Sequence, residues 1–148
     1  MSLDRLTILK GFWAKDAIID PNNVDEEVVR VPRLHQKYLD LLTDLKVLVF
    51  RKQAEFLKLK GARSRYYSGS MGKEELQEFG WEQYQGKTPL KSELERLLEV
   101  DPVLLAAEEN LFELKACFEY VEEVMKSLRY RAQELRTIYE FRKFIAGN

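Results

Sequence analysis

Apolar residues recur at helical spacing along most of this chain. Residues 3–19 carry Leu3, Leu6, Ile8, Leu9, Phe12 and Trp13, then Ala17, Ile18 and Ile19, a short amphipathic stretch. Asp20-Pro21-Asn22-Asn23 reads as a turn, and Val24 to Val31 as either a short helix or an extended segment. Pro32 suits the first position of a helix, where its missing N–H costs nothing. Behind it Tyr38, Leu42, Leu45, Val49, Phe56 and Leu59 predict a helix from Arg33 to about Ala62, roughly 45 Å long at 1.5 Å per residue. Residues 68–91 lose the pattern, with Gly69, Gly72, Gly80, Gly86 and Pro89, and read as a loop-rich segment. Phe79, Trp81 and Tyr84 within it predict a segment that docks rather than floats. A short helix is expected from Ser92 to Leu98, with Ser92 as its cap. Asp101-Pro102 is the sharpest local signal: Asp is a strong N-cap and Pro fits the next position. Nothing interrupts the following helix until Gly147, a span of roughly 66 Å.

This last helix carries a sustained heptad. With Leu104 as a, the a line runs Leu104, Leu111, Phe118, Met125, Ala132, Tyr139, and the d line Ala107, Leu114, Val121, Leu128, Leu135, Arg142. A g line adds Val103, Cys117, Val124, Ile138 and Ile145, widening the stripe beyond a two-stranded coil. Part of it is expected to pack on the first long helix. The remaining width predicts self-association through Leu111, Leu114, Phe118, Val121, Met125, Leu128 and Leu135, as a ring or helical barrel. The expected fold is mainly α: two long helices with a loop-rich middle, in one domain over 1–148. Within it 1–67 is the N-terminal region and basic helix, 68–100 the loop-rich segment, and 101–146 the oligomerising helix.

Composition narrows the class. The chain has 148 residues, 45% hydrophobic and 33% charged, which describes a globular rather than a disordered chain. A single cysteine, Cys117, excludes an intrachain disulfide and reads as a small packed hydrophobe. No apolar run approaches the ~18 residues of a membrane span, and charges interrupt the N-terminus where a signal peptide would be apolar, so the cytoplasm is the expected compartment. His35 is the sole histidine, so neither a metal site nor a Ser-His-acid set can be assembled, and no cofactor is expected. Gly69-Ser70-Met71-Gly72-Lys73 lacks the spacing of a phosphate loop and follows a helix rather than a strand. No pair of carboxylates is singled out for acid–base work, and the chain is read as non-enzymatic.

The net charge of −1 conceals segregation. Residues 46–65 hold seven basic residues against Glu55 alone; 101–125 hold seven acidic residues against Lys115; 126–143 hold six basic against two acidic. Arg51, Lys58 and Arg65 recur every seventh residue, and Lys60 and Arg63 lie near the helix end, followed at once by Tyr66 and Tyr67. Cations that neutralise phosphate beside rings that stack on unpaired bases are what a single-strand nucleic-acid site requires. The plainer account is that the basic and acidic stretches pair with each other across a bundle or an interface, which would leave a coiled-coil adaptor without nucleic-acid binding.

Four segments carry a resemblance to a known family. They are Ile18-Ile19-Asp20, Val31 to Leu39 (VPRLHQKYL), Arg63 to Gly69 (RSRYYSG) and the basic-aromatic tail Tyr139 to Gly147 (YEFRKFIAG). Together they resemble the recombination mediators of tailed phages, the UvsY type, over nearly the whole chain. The resemblance implies a non-catalytic protein that binds single-stranded DNA and forms a heptameric ring. It implies further that the protein helps a RecA-type recombinase load onto strand covered by single-strand binding protein. It also implies DNA contact through basic residues just before the YYSG motif. Arg63 occupies one such position; a second falls on Gly61, with Lys60 beside it. The candidate strand-binding set is therefore Lys58, Lys60, Arg63, Arg65, Tyr66 and Tyr67.

Overall fold

The computed structural model describes residues 4–147, so Leu3 of the first amphipathic stretch lies outside them. Among the described residues there are five helices and no strand: α1 (Asp4–Asp16), α2 (Val24–Ser68), α3 (Lys73–Phe79), α4 (Lys91–Glu99) and α5 (Pro102–Ile145). The mainly α expectation with two long helices therefore holds, and α5 starts at Pro102 as the Asp-Pro signal predicts.

Three boundaries differ from expectation. Pro32 does not start α2; it lies inside it, nine residues into a helix that begins at Val24. Asp25, Glu26 and Glu27 fill the first turn, where carboxylates oppose the helix dipole. The Glu27 N–H reaches the Asn23 carbonyl at 3.0 Å, while the Asp20 carboxylate accepts from Asn22 N and Asn23 Nδ2 at 2.9 and 2.6 Å, a turn that delivers the chain into the helix. A proline that close to the N-terminus sacrifices one internal bond, which the long, packed helix outweighs. α2 also runs past Gly61 to Ser68, where Gly69 takes φ +76° and lets Ser70 N–H reach back to the Arg65 carbonyl at 3.1 Å. Inside the loop-rich segment, α3 closes at Gly80 (φ +70°), with Gly80 and Trp81 N–H bonded to the Gln77 and Leu76 carbonyls. The Ser92 cap is also corrected: α4 begins at Lys91, and the Glu93 carboxylate accepts from the Leu90 N–H at 3.2 Å.

The chain packs as two compact units: one formed by the segments up to Leu48 and from Glu113 onward, the other by Val49–Phe112. In the first, Leu9, Leu34, Tyr38 and Leu45 are buried, as are Leu114, Cys117, Val121, Val124, Met125, Leu128 and Leu135. The end of α1 is tied down through its carbonyls. Arg30 donates to the Asp16 and Ile18 carbonyls at 3.1 and 2.9 Å, and Arg131 to the Ala17 carbonyl at 3.3 Å. The Asp16 carboxylate accepts from Lys37 Nζ and Tyr38 Oη, both at 2.7 Å, and Trp13 meets Tyr38 edge to face. Burial raises the Asp16 carboxyl, but these two hydrogen bonds and the nearby cations hold it below its usual range. In the second unit Ala62, Arg63, Tyr67, Met71, Asp101, Leu104 and Leu111 are buried.

The residues expected at an oligomerisation seam are largely covered within the chain. Leu111, Leu114, Val121, Met125, Leu128 and Leu135 are buried within a single chain, and Phe118 is half-buried. The same a/d spacing serves intramolecular packing equally well, and the chain's own helices have used it.

Candidate nucleic-acid interface

The candidate strand-binding residues lie on the last turns of α2, inside the second unit, and they separate into two groups. Arg63 and Tyr67 face inward. The Arg63 guanidinium donates to Asp101 through Nε and Nη2, each at 2.7 Å, with side-chain exposures of 8% and 0% for the two partners. Tyr67 Oη donates to the same carboxylate at 2.9 Å and accepts from Arg63 Nη2 at 3.3 Å. Asp101 also caps α5, accepting the Leu104 N–H. Four donors from three residues thus converge on one carboxylate. Burial raises the Asp101 carboxyl, but the Arg63 and Tyr67 hydrogen bonds and the Arg63 charge outweigh it and hold it below its usual range. Burial works against the Arg63 charge in turn, and Asp101 and Tyr67 hold it on; the Tyr67 phenol is raised by burial and by the Asp101 charge.

An aromatic box closes over this pair. The Arg63 guanidinium carbon lies 4.4 Å from the Tyr66 ring centre and 4.5 Å from that of Trp81. Tyr66 meets Tyr67, Trp81 and Tyr84 at 5.4–5.7 Å, Tyr67 meets Tyr84 at 5.0 Å, and Phe79 stacks on Trp81 at 4.2 Å. The docking predicted for the loop-rich segment is this box, which places α3 and its following loop against the end of α2. Tyr66, Trp81 and Tyr84 remain half-buried, so each shows some surface.

The second group faces outward. Lys58, Lys60 and Arg65 are exposed. Lys58 and Lys60 have no carboxylate partner among the described residues, and Arg65 pairs only with half-buried Glu75. Lys58 and Arg65, seven residues apart, share a face with Arg51; Lys60 lies about 200° around the helix from Lys58, on another side. The structure thus gathers Arg63, Tyr66 and Tyr67 into one cluster and Lys58 with Arg65 on one face, and leaves Lys60 apart. Sequence reading missed Asp101 as the partner of Arg63. Its capping signal was visible, but nothing local announces a contact across 38 positions.

Residues 12–148 match the family model described as recombination, repair and ssDNA binding protein UvsY. The chain belongs to the UvsY family. The recombination protein uvsY of Enterobacteria phage T4 is 25% identical over 143 residues, covering 97% of this chain and 98% of its own. Crystal structures of the bacteriophage T4 recombination mediator protein UvsY share the fold. One superposes with a TM-score of 0.79 at 22% identity, covering 92% of this chain and 97% of the other. A second gives 0.80 at 21%, covering 97% and 99%. As a member of the UvsY family this is a recombination mediator. Among the described residues no cluster of three or more candidate metal ligands occurs, and no helix is long and apolar enough to cross a membrane.

Proposed function

We propose that this UvsY-family mediator binds single-stranded DNA through the exposed cations of α2 and helps a RecA-type recombinase load onto strand covered by single-strand binding protein, in the cytoplasm of the host cell. Lys58, Lys60 and Arg65 neutralise phosphates. Tyr66 offers the accessible edge of its ring to a base, while Arg63 and Tyr67 hold the end of α2 in place beneath it. The observation that carries this reading is that Lys58 and Lys60 are exposed and have no ion-pair partner among the described residues, whereas the buried cation nearby, Arg63, is held by Asp101. An unpaired exposed cation exchanges its counterions for phosphate, and the released ions drive binding. The protein acts as a homo-oligomer, a heptameric ring as in the resemblance, so that several weak strand contacts add as avidity. Catalysis has no part: the protein remodels the strand by binding it.

Fluorescence anisotropy with a labelled single-stranded oligonucleotide over a salt series tests this. Affinity falls steeply with salt, and Lys58→Ala, Lys60→Ala and Arg65→Ala each weaken binding and flatten the log–log slope by about 0.7. A folded, assembled sample that leaves the oligonucleotide free at low salt refutes the proposal.

A further inference from the structure

With the α5 seam buried, two helix faces of the second unit still carry exposed apolar residues, besides Phe79, Leu90 and Val100 in the loop-rich segment and before α5. On α2, Phe50, Ala54, Leu57 and Gly61 follow at i, i+4, i+7 and i+11, one stripe along the helix. Phe50 is 75% exposed and Leu57 63%. At Gly61 an added Cβ would meet only the Arg65 guanidinium, at 3.7 Å, so the stripe ends on bare backbone that another helix can approach closely. Arg51, Lys58 and Arg65 run along one flank of it. On α5, Leu105 and Phe112 stand seven residues apart, 48% and 72% exposed, with Glu108 and Glu109 on the two flanks. Among the described residues Arg51, Lys58, Glu108 and Glu109 have no ion-pair partner within the chain.

We infer that copies of this chain meet head to tail, the basic-flanked stripe of α2 on one copy seating against the acid-flanked Leu105–Phe112 face of α5 on the next. This rests on the proposal that the protein works as a homo-oligomer, and names the surfaces that build it. Charge chooses the pairing. Two α2 faces together would set Arg51, Lys58 and Arg65 against their own copies, and two α5 faces would do the same with Glu108 and Glu109. The mixed pairing joins opposite signs around a shared apolar line, the arrangement of an interface with a dry centre and a charged rim. Such a contact uses different surfaces on its two sides. A dimer therefore leaves one α2 face and one α5 face open, and further copies can add at both ends. Gly61 has a use here as the point of closest approach.

The test is charge reversal, read as molecular mass by sedimentation equilibrium over a concentration series. It is made without DNA, because Lys58 at the edge of the stripe is also offered as a strand contact. Arg51→Glu with Lys58→Glu, and separately Glu108→Lys with Glu109→Lys, each raise the concentration for half-assembly by about a hundredfold, since like charges at a contact cost several kcal/mol. All four substitutions in one chain restore assembly. Circular dichroism checks that each variant keeps its helix content, and Phe112→Ser repeats the loss without touching charge. Reversal variants that assemble like the parent protein overturn the inference and leave the homo-oligomer reading standing. Loss with one reversal but not the other, or no restoration by the fourfold variant, overturns the pairing. A parent protein monomeric at every concentration refutes the homo-oligomer reading itself.

Discussion

Asp101 is where this fold is easiest to break. Removing its carboxylate leaves the Arg63 guanidinium, 8% exposed, without a counter-charge, which costs about 3–5 kcal/mol for a buried pair. Asp101→Ala also removes the α5 cap, about 1 kcal/mol more. The total, roughly 4–6 kcal/mol, is comparable to the whole stability of many domains. Asp101→Asn keeps an oxygen for the cap and loses only the charge, so it is expected to cost about 3 kcal/mol. Arg63→Leu, which strands the carboxylate instead, is expected to cost a similar amount, and the two together much less than their sum. A coupling of about 2 kcal/mol or more is expected. Urea unfolding followed by circular dichroism at one fixed protein concentration measures all four corners of this cycle, since assembly links stability to concentration. Single costs below about 1 kcal/mol with no coupling would refute the argument that this pair holds α5 to the end of α2. The same variants divide structure from strand contact. An Arg63 that only positions its neighbours leaves the salt slope of DNA binding unchanged when replaced, whereas an Arg63 on phosphate reduces it by about 0.7.

Two further outcomes follow from the geometry. Asp101 and Asp16 both titrate below their unfolded range, so their contribution is complete above the unfolded carboxylate pKa of about 3.9 and is lost as pH falls through the lower folded values. Stability measured from pH 6 down to pH 2 should therefore fall most steeply below about pH 4, and Asp101→Asn should flatten that fall; an unchanged profile counts against the paired carboxylate. Pro32→Ala restores a backbone donor at an exposed position inside α2 and is expected to raise stability by about 1–3 kcal/mol in a urea or thermal melt; a loss would mean that the helix needs the break there.

The sequence by itself determined the helical class, the two long helices and the start of α5, because periodicity and the Asp101-Pro102 cap are written in adjacent positions. The RSRYYSG segment was legible too, as a motif, and it leads to the family. Where α2 begins was not legible, because a proline one turn or more into a helix gives the same local signal as one at its first position. Tertiary structure alone decided what each side of the helices faces. The heptad of α5 reads identically whether its partner is another copy or the same chain; only the packing shows that Val121 and Leu135 are covered by the same chain. Arg63 reads as a free cation until Asp101, 38 residues away, arrives to bind it. Likewise Phe50 and Phe112 read as ordinary helix residues until the packing leaves them outside. Spacing along a chain sets which residues share a face; which face is covered, and which charge is neutralised, depends on contacts between distant segments that no local pattern encodes.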